Sequence, residues 1–298
     1  MADNHGTLVT LSSDQVKRVA VIVDRQETFW GLLSTGYTTA QMHDAYLVVL
    51  VVAEEPPTWL EIPENYDSSR IILEVVSDKA PARRIIKIIK QIHPMLLGLS
   101  METAGKGLQS TPNEMFDSII QQVPCPIYLL KCKSGWSISS ALSAFVPFWD
   151  DANTRFAIDT ALGLNPSLKI TAGIVVPPSV EPEDLINRKN EFADQTSKWH
   201  SSSRFTTKIL QGFNEQQCLL DEAEGYDFML FGTSRGNLIA SIFLGAKSNK
   251  LAIAAKGPVI TFREYQGKPG ATMAGIWSQA NRLLPTLDQE DRIEAYRL

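Results

Sequence analysis

The chain has 298 residues, 44% hydrophobic and 20% charged, with a formal net charge of −5 at pH 7. That composition is of an ordinary globular protein, long enough for one large domain or two medium ones, and its acidic balance argues against a nucleic-acid partner, which needs a basic face, though not against a small anion held locally. The longest apolar run, AYLVVLVVA at 45–53, is too short for a membrane helix, and the polar start MADNHGTLVTLSSD lacks the plan of a signal peptide.

In chain order, VKRVAVIVD (16–24) reads as a buried strand ending in an aspartate, followed by a helix from about Glu27 to His43 and the strand YLVVLVVA. RIILEVVS (70–77) is a third strand, and PARRIIKIIKQIH (81–93) spaces four isoleucines along one side of an amphipathic helix. MLLGLS, a polar loop, the helix PNEMFDSIIQQV and the strand PIYLLK complete a unit. The second half repeats the plan: strand SAFVPFWDD, helix NTRFAIDTALGL, strand LKITAGIVVPP, helix EPEDLINRKNEFADQTSKWHSS, strand RFTTKIL and helix EQQCLLDEAEG. DFMLFGTS, a glycine-containing stretch with a helix to about Lys256, and PVITFRE finish it. Alternating strands and helices predict parallel, doubly wound α/β units.

MLLGLS at 95 and MLFGTS at 229 lie 134 residues apart, and Pro124 and Pro258 keep that offset, which points to duplication. The halves differ between their second and third strands, where the first has only the proline-rich EEPPTWLEIPENYDSS. The expected organisation is a flexible N-terminus (1–15), a first domain (16–133), a second (140–264) and a C-terminal helical extension (265–298).

An aspartate closing the first strand, and a late strand running into spaced glycines, a helix and a final PV strand, resemble the universal stress protein family in its tandem form. DFMLFGTSRGNLIASIFLGAKSNKLAIAAKGPVITF (227–262) carries the resemblance best, and VPCPIYLLK (123–131) carries it again. The resemblance implies two tandem five-stranded, mainly parallel α/β units, a stress or signalling role, and ATP or AMP as ligand. The family's ATP-binding members carry G-x2-G-x9-G followed by Ser or Thr, whose backbone amides and hydroxyl wrap the phosphates, with the first-strand aspartate toward the nucleoside. Unpaired N–H groups and the positive end of a helix dipole suit an anion there.

In the second half Gly232 and Gly245 keep the outer spacing, but Arg235 takes the middle place, Gly236 comes one later, and Ala246 replaces the hydroxyl. The resemblance places a nucleotide near Asp150, Val176, Gly232, Ser234, Arg235, Gly236, Gly245, Lys247 and Ser248; Arg235, Lys247 and Ser248 would substitute for missing phosphate contacts. Trp149 stands at the strand end, so Asp150 reaches the family's carboxylate position only through a one-residue slip. The alternative is that Gly232 and Gly236 serve a turn and Gly245 begins a helix that Gly257 caps. The first half keeps Asp24, but its loop glycines at 98, 105 and 107 miss the spacing. Its helix opens TPNE, with Thr111 as N-cap, Pro112 in the first helical position and Glu114 closing a capping box. Pro112 or Glu114 takes the hydroxyl's place there, depending on whether Pro124 or Pro126 matches Pro258, and that half reads as structural.

No nucleophile can be assigned with its base: GxSxG, HExxH and GxxxxGK[ST] are all missing, and the expectation is binding without catalysis. His43 and His93 end helices, where a cation suits the dipole. Cys125, Cys132 and Cys218 read as buried, inert thiols of a reducing cytoplasm, and neither the cysteines nor the histidines offer metal spacing. After PVITFRE, Met273, Ile276, Trp277, Ala280, Leu283 and Leu284 form an apolar helical face. It would pack on the chain's own sheet, on a second subunit or an unknown partner, or lead into a fused membrane transporter. Paired units in one chain leave a pseudo-twofold monomer or a homodimer open.

Overall fold

The computed structural model describes residues 16–101, 114–232 and 245–265. The first strands follow the sequence expectation: β1 (Arg18–Val23), α1 (Gln26–Met42), β2 (Tyr46–Val52), β3 (Ile71–Val76), α2 (Pro81–Ile92), β4 (Leu96–Ser100), α3 (Glu114–Gln122) and β5 (Ile127–Lys131). The second series is β6 (Ser143–Pro147), α4 (Ala152–Leu164), β7 (Lys169–Val176), α5 (Pro182–Thr196), β8 (Phe205–Gln211), α6 (Glu215–Ala223), β9 (Phe228–Gly232), α7 (Gly245–Ala254) and β10 (Val259–Arg263). All ten strands join one sheet in the order β3-β2-β1-β4-β5-β10-β9-β6-β7-β8, parallel throughout except where β5 meets β10.

Side-chain alternation along each buried strand divides the core in two. Val19, Val21 and Val23 of β1 lie on the sheet face that α1, α4 and α5 cover, in one core cluster with Phe29, Leu33, Phe156, Ile158 and Phe192. Ala20 and Ile22 face the opposite layer, where Ile85 and Ile89 of α2, Phe116 of α3, Leu219 of α6 and Leu251 of α7 pack. The isoleucine stripe of α2 is buried as its spacing predicts. The proline-rich stretch before β3 forms no long helix. Instead Trp59 packs 5.4 Å from Phe29 and Tyr66 4.5 Å from Tyr37, covering α1 with loop aromatics where the second half uses α5.

Pairing corrects the duplication offset. Leu97 donates to the Pro126 carbonyl and Met229 to the Pro258 carbonyl, each at 3.0 Å, and Leu97 opposes Ile127 as Met229 opposes Val259. Met229 is therefore the counterpart of Leu97, and Pro258 of Pro126, an offset of 132 and not 134. A two-residue slip keeps every strand side chain on its own face, which is why the two strings match at the wrong offset. At the corrected offset Glu114 stands where Ala246 follows Gly245.

The two series are tied by more than the β5–β10 ladder. Lys131, at the end of β5, reaches across it and donates from Nζ to the carbonyls of Ala252, Ile253 and Ala255 at 3.0, 3.0 and 2.7 Å. These are orphan carbonyls at the C-terminus of α7. Gly257 was expected to cap this helix, but its φ is not positive and a Cβ on it would meet nothing within 4 Å. The cap comes from the other half of the molecule.

Candidate functional site

In each series the chain leaves the first strand in one direction for the second and third strands and in the other for the fourth and fifth. Ligands in open α/β sheets bind outside the carboxyl ends of the strands at such a reversal. In the second series these ends belong to β6, β7 and β9.

Arg18 and Ser143 open β1 and β6 against the first residues of β2 and β7, so Asp24 and Trp149 occupy equivalent positions. The slip that would bring Asp150 into the carboxylate position does not occur. The Trp149 indole sits there, 6.1 Å from the Phe231 ring in a T-shaped contact, and its Nε1 donates to Glu215 at 3.4 Å. Asp150 is turned aside to accept from Arg155 Nε at 2.9 Å. Asp151 is the N-cap of α4, accepting from the Thr154 N–H at 2.7 Å.

Gly232 ends β9, and a Cβ there would overlap the backbone of Asn153 and Thr154. Its missing side chain lets the first turn of α4 close onto the sheet, with Asn153 Oδ1 accepting from the Glu264 N–H at 3.1 Å. Gly245 opens α7. Ser234, Arg235 and Gly236 lie outside the described residues, as do the side chains of Lys247, Ser248 and Glu114. Thr111, Pro112 and the apolar face from Met273 to Leu284 also lie outside them.

At the strand ends the backbone of β7 leaves its ladder with β6 at Val175, one residue before the expected Val176. The β6–β7 ladder ends at Pro147 opposite Gly173, with a last bond from the Phe148 N–H to the Gly173 carbonyl at 2.8 Å, while β7 continues to Val176. Along β7, Lys169 and Gly173 turn their backbone groups toward β6, and Ile170 and Val176 turn theirs toward β8. By that alternation Val175 points its N–H and C=O toward β6 beyond the point where β6 ends, and neither has a backbone partner among the described residues. Val176, expected at the site, is fully buried, and its carbonyl accepts from the Gly212 N–H at 3.0 Å on the β8 side.

Val175 borders a cleft of about 320 Å³, with Phe148, Trp149 and Phe192 as aromatic walls and Asp150, Arg188, Glu191 and Glu215 among its polar lining. The volume is at the low end for small-molecule sites. A backbone donor beside a backbone acceptor, next to aromatic surface, suits a flat ring that carries an acceptor beside a donor. None of Arg188, Glu191 and Glu215 was among the expected site residues. Arg188 and Glu191 lie on a mostly polar helix whose sequence gives no sign that this turn faces a cleft.

Among the described residues, no group of three His, Cys, Asp or Glu is arranged to hold a metal ion. Burial, then the nearby Lys17 charge, lowers His43 to about 4, so it ends α1 as a neutral ring and not as the expected cation. His93 does end α2, in a left-handed conformation with φ 44°. Cys125 and Cys132 are buried, and burial pushes the Cys125 thiol up to about 12, whereas Cys218 is partly exposed and departs from the expected burial. No helix among the described residues is long and apolar enough to cross a membrane.

No protein-family model matches the chain, and no curated protein matches it by sequence. The strand order, the antiparallel joint and the helical layers are those of the universal stress protein fold in its tandem form. Solved structures that share it include a universal stress protein from Archaeoglobus fulgidus DSM 4304, 13% identical, with a TM-score of 0.51 over 82% of this chain and 95% of that one. A functionally unknown protein from Pseudomonas aeruginosa PAO1 is 13% identical, with a TM-score of 0.52 over 85% and 93%. The cytoplasmic domain of a prokaryotic cation chloride cotransporter is 11% identical, with a TM-score of 0.51 over 83% and 95%. At these identities the likeness is one of fold.

Proposed function

We propose that the chain is a cytoplasmic binding and regulatory module that takes an adenine nucleoside or nucleotide in the second series and responds to it without catalysing a reaction. The observation that carries this is the N–H and C=O of Val175 at the border of the cleft, neither of which has a backbone partner among the described residues. A purine edge with a ring nitrogen beside an amino group is complementary to that pair and would continue the β7 ladder where β6 stops. Trp149 and Phe148 supply the apolar surface against which a base packs. Calorimetric titration of the whole chain with AMP and ATP tests it. Binding should appear with either ligand, and Val175→Pro, which removes an N–H that no ladder uses, should weaken it at least tenfold without unfolding the protein. No heat and no thermal shift at millimolar nucleotide would end this proposal.

A second function draws on a different observation. Trp149 stands where the family's nucleoside-facing carboxylate belongs, and a cotransporter's cytoplasmic domain has the same architecture. Both support a nucleotide-independent regulatory or scaffolding domain, with the segment beyond Tyr265 contacting a protein partner or a fused membrane domain. A negative titration together with co-purification of a membrane partner, lost on truncation at residue 265, would favour it.

A further inference from the structure

We infer that Arg188 reads the outer edge of the bound ring, donating to the purine N7, and so makes the cleft selective for a purine that keeps that nitrogen; the inference rests on the adenine site proposed above. Adenine carries the ring acceptors N1, N3 and N7 and an amino donor beside N1. With N1 and the amino group on Val175, N3 and N7 remain. Each gives up water on entering a cleft walled by Phe148, Trp149 and Phe192, and an acceptor that loses water without gaining a donor costs binding.

The direction of β7 tells these two nitrogens apart. β7 runs from Lys169 to Val176, and along a strand a residue's C=O lies ahead of its N–H, so the Val175 carbonyl is nearer the carboxyl end of the sheet. An amino group bonded to that carbonyl turns its side of the ring, which includes N7, outward, and N3 faces back over the end of β6. α5 begins at Pro182, beyond the carboxyl end of β7, and returns beside the sheet to β8, whose first residue Phe205 pairs with Ile170. Of its residues on the cleft, Arg188 precedes Glu191 and Gln195 and so stands nearest the outer edge. Among the described residues it is the only Lys, Arg or His in the lining, and it makes no hydrogen bond or ion pair with any of them. The neutral donors of the lining already give a bond elsewhere, Gln195 Nε2 to Glu191 at 3.3 Å and Trp149 Nε1 to Glu215 at 3.4 Å. A guanidinium only donates, so a ring nitrogen is a partner it can take without rearranging its neighbours.

The test is calorimetric titration of the full chain with adenosine, 7-deazaadenosine and 3-deazaadenosine, each against the parent protein and Arg188→Met, a change at an exposed helical position that keeps helix propensity. In the parent, 7-deazaadenosine should bind roughly five- to twentyfold more weakly than adenosine, through loss of one bond to a charged donor, and 3-deazaadenosine within about twofold of it. In Arg188→Met, adenosine should fall to the level of 7-deazaadenosine, leaving the two within about twofold of each other. If the parent binds both alike, or if the variant keeps the parent's ratio, Arg188 does not read N7 and the inference fails, while loss of adenosine binding in Val175→Pro leaves the adenine site standing. A penalty on 3-deazaadenosine in place of 7-deazaadenosine would put the ring the other way round and overturn the inference as well. If none of the three binds, both proposals fall.

Discussion

His43 carries a stability signature that follows from its surroundings. It ends α1, where the helix dipole favours a cation, yet burial and the Lys17 charge outweigh that and hold it near 4. Lys17 is itself lowered by burial, partly offset by Asp44. With the folded value below the ordinary 6.5, the unfolded chain binds this proton more readily. Its contribution is therefore fully present above pH 6.5 and is lost as the pH falls toward 4. For a half-buried ring this amounts to about 1–2 kcal/mol after allowance for solvent screening. Urea unfolding at pH 7 and pH 4.5 should show His43→Gln losing less stability on acidification than the parent by about that amount. An identical loss in both would show that His43 is not protonated differently in the two states. At this scale the sequence was a poor guide: it showed a histidine at a helix end, but not the depth of its ring or the lysine beside it.

The elements themselves were legible. The apolar runs of β1 and β2 and the isoleucine stripe of α2 are periodic enough to be placed within a residue or two, and Pro81 and Asp151 mark helix starts locally. What joins elements was less so. The C-terminus of α7 is held by Lys131, more than a hundred residues away in sequence, and no local pattern announces such a cap. Lys131→Met should cost about 1–2 kcal/mol, since three carbonyls lose a charged donor that solvent only partly replaces. Amide exchange across 245–255 should accelerate more than exchange in β6 or β7. A variant with unchanged stability and unchanged exchange in α7 would show the cap to be idle.

The same limit bears on β7, where the sequence reading named Val176 for the nucleotide site and the proposal above uses Val175. Consecutive strand residues point their backbone groups in opposite directions, so a one-residue error turns the pair from the cleft into the β8 ladder. Which residue is free depends on where β6 stops, and that is a property of its partner's length and not of β7.

The whole molecule is organised about the antiparallel joint of β5 and β10, with Thr261 opposite Leu129 at its centre. At the offset of 132 these two residues are counterparts, so the joint pairs equivalent strands across a pseudo-twofold axis. Each half expressed alone would leave that strand as an exposed edge with free N–H and C=O groups. Residues 141–265 produced alone should therefore form a dimer through β10, and adding residues 16–140 should convert it to the mixed pair, which light scattering after gel filtration would register. A monodisperse monomer of 141–265 would show that β10 tolerates a bare edge and that Lys131 and β5 are dispensable to it.

The sequence by itself determined the order and type of the described elements, because hydrophobic periodicity is local, and its two late segments carried the resemblance to the tandem universal stress protein fold even where identity to solved structures is 11–13%. Only the tertiary structure decided the repeat offset, the cross-half cap on α7, that the slip toward Asp150 does not occur, and which residue of β7 turns its backbone past the end of β6. Each of these depends on where one strand or helix ends relative to another distant in sequence, and such lengths are set by packing between elements, which no single stretch of the chain encodes.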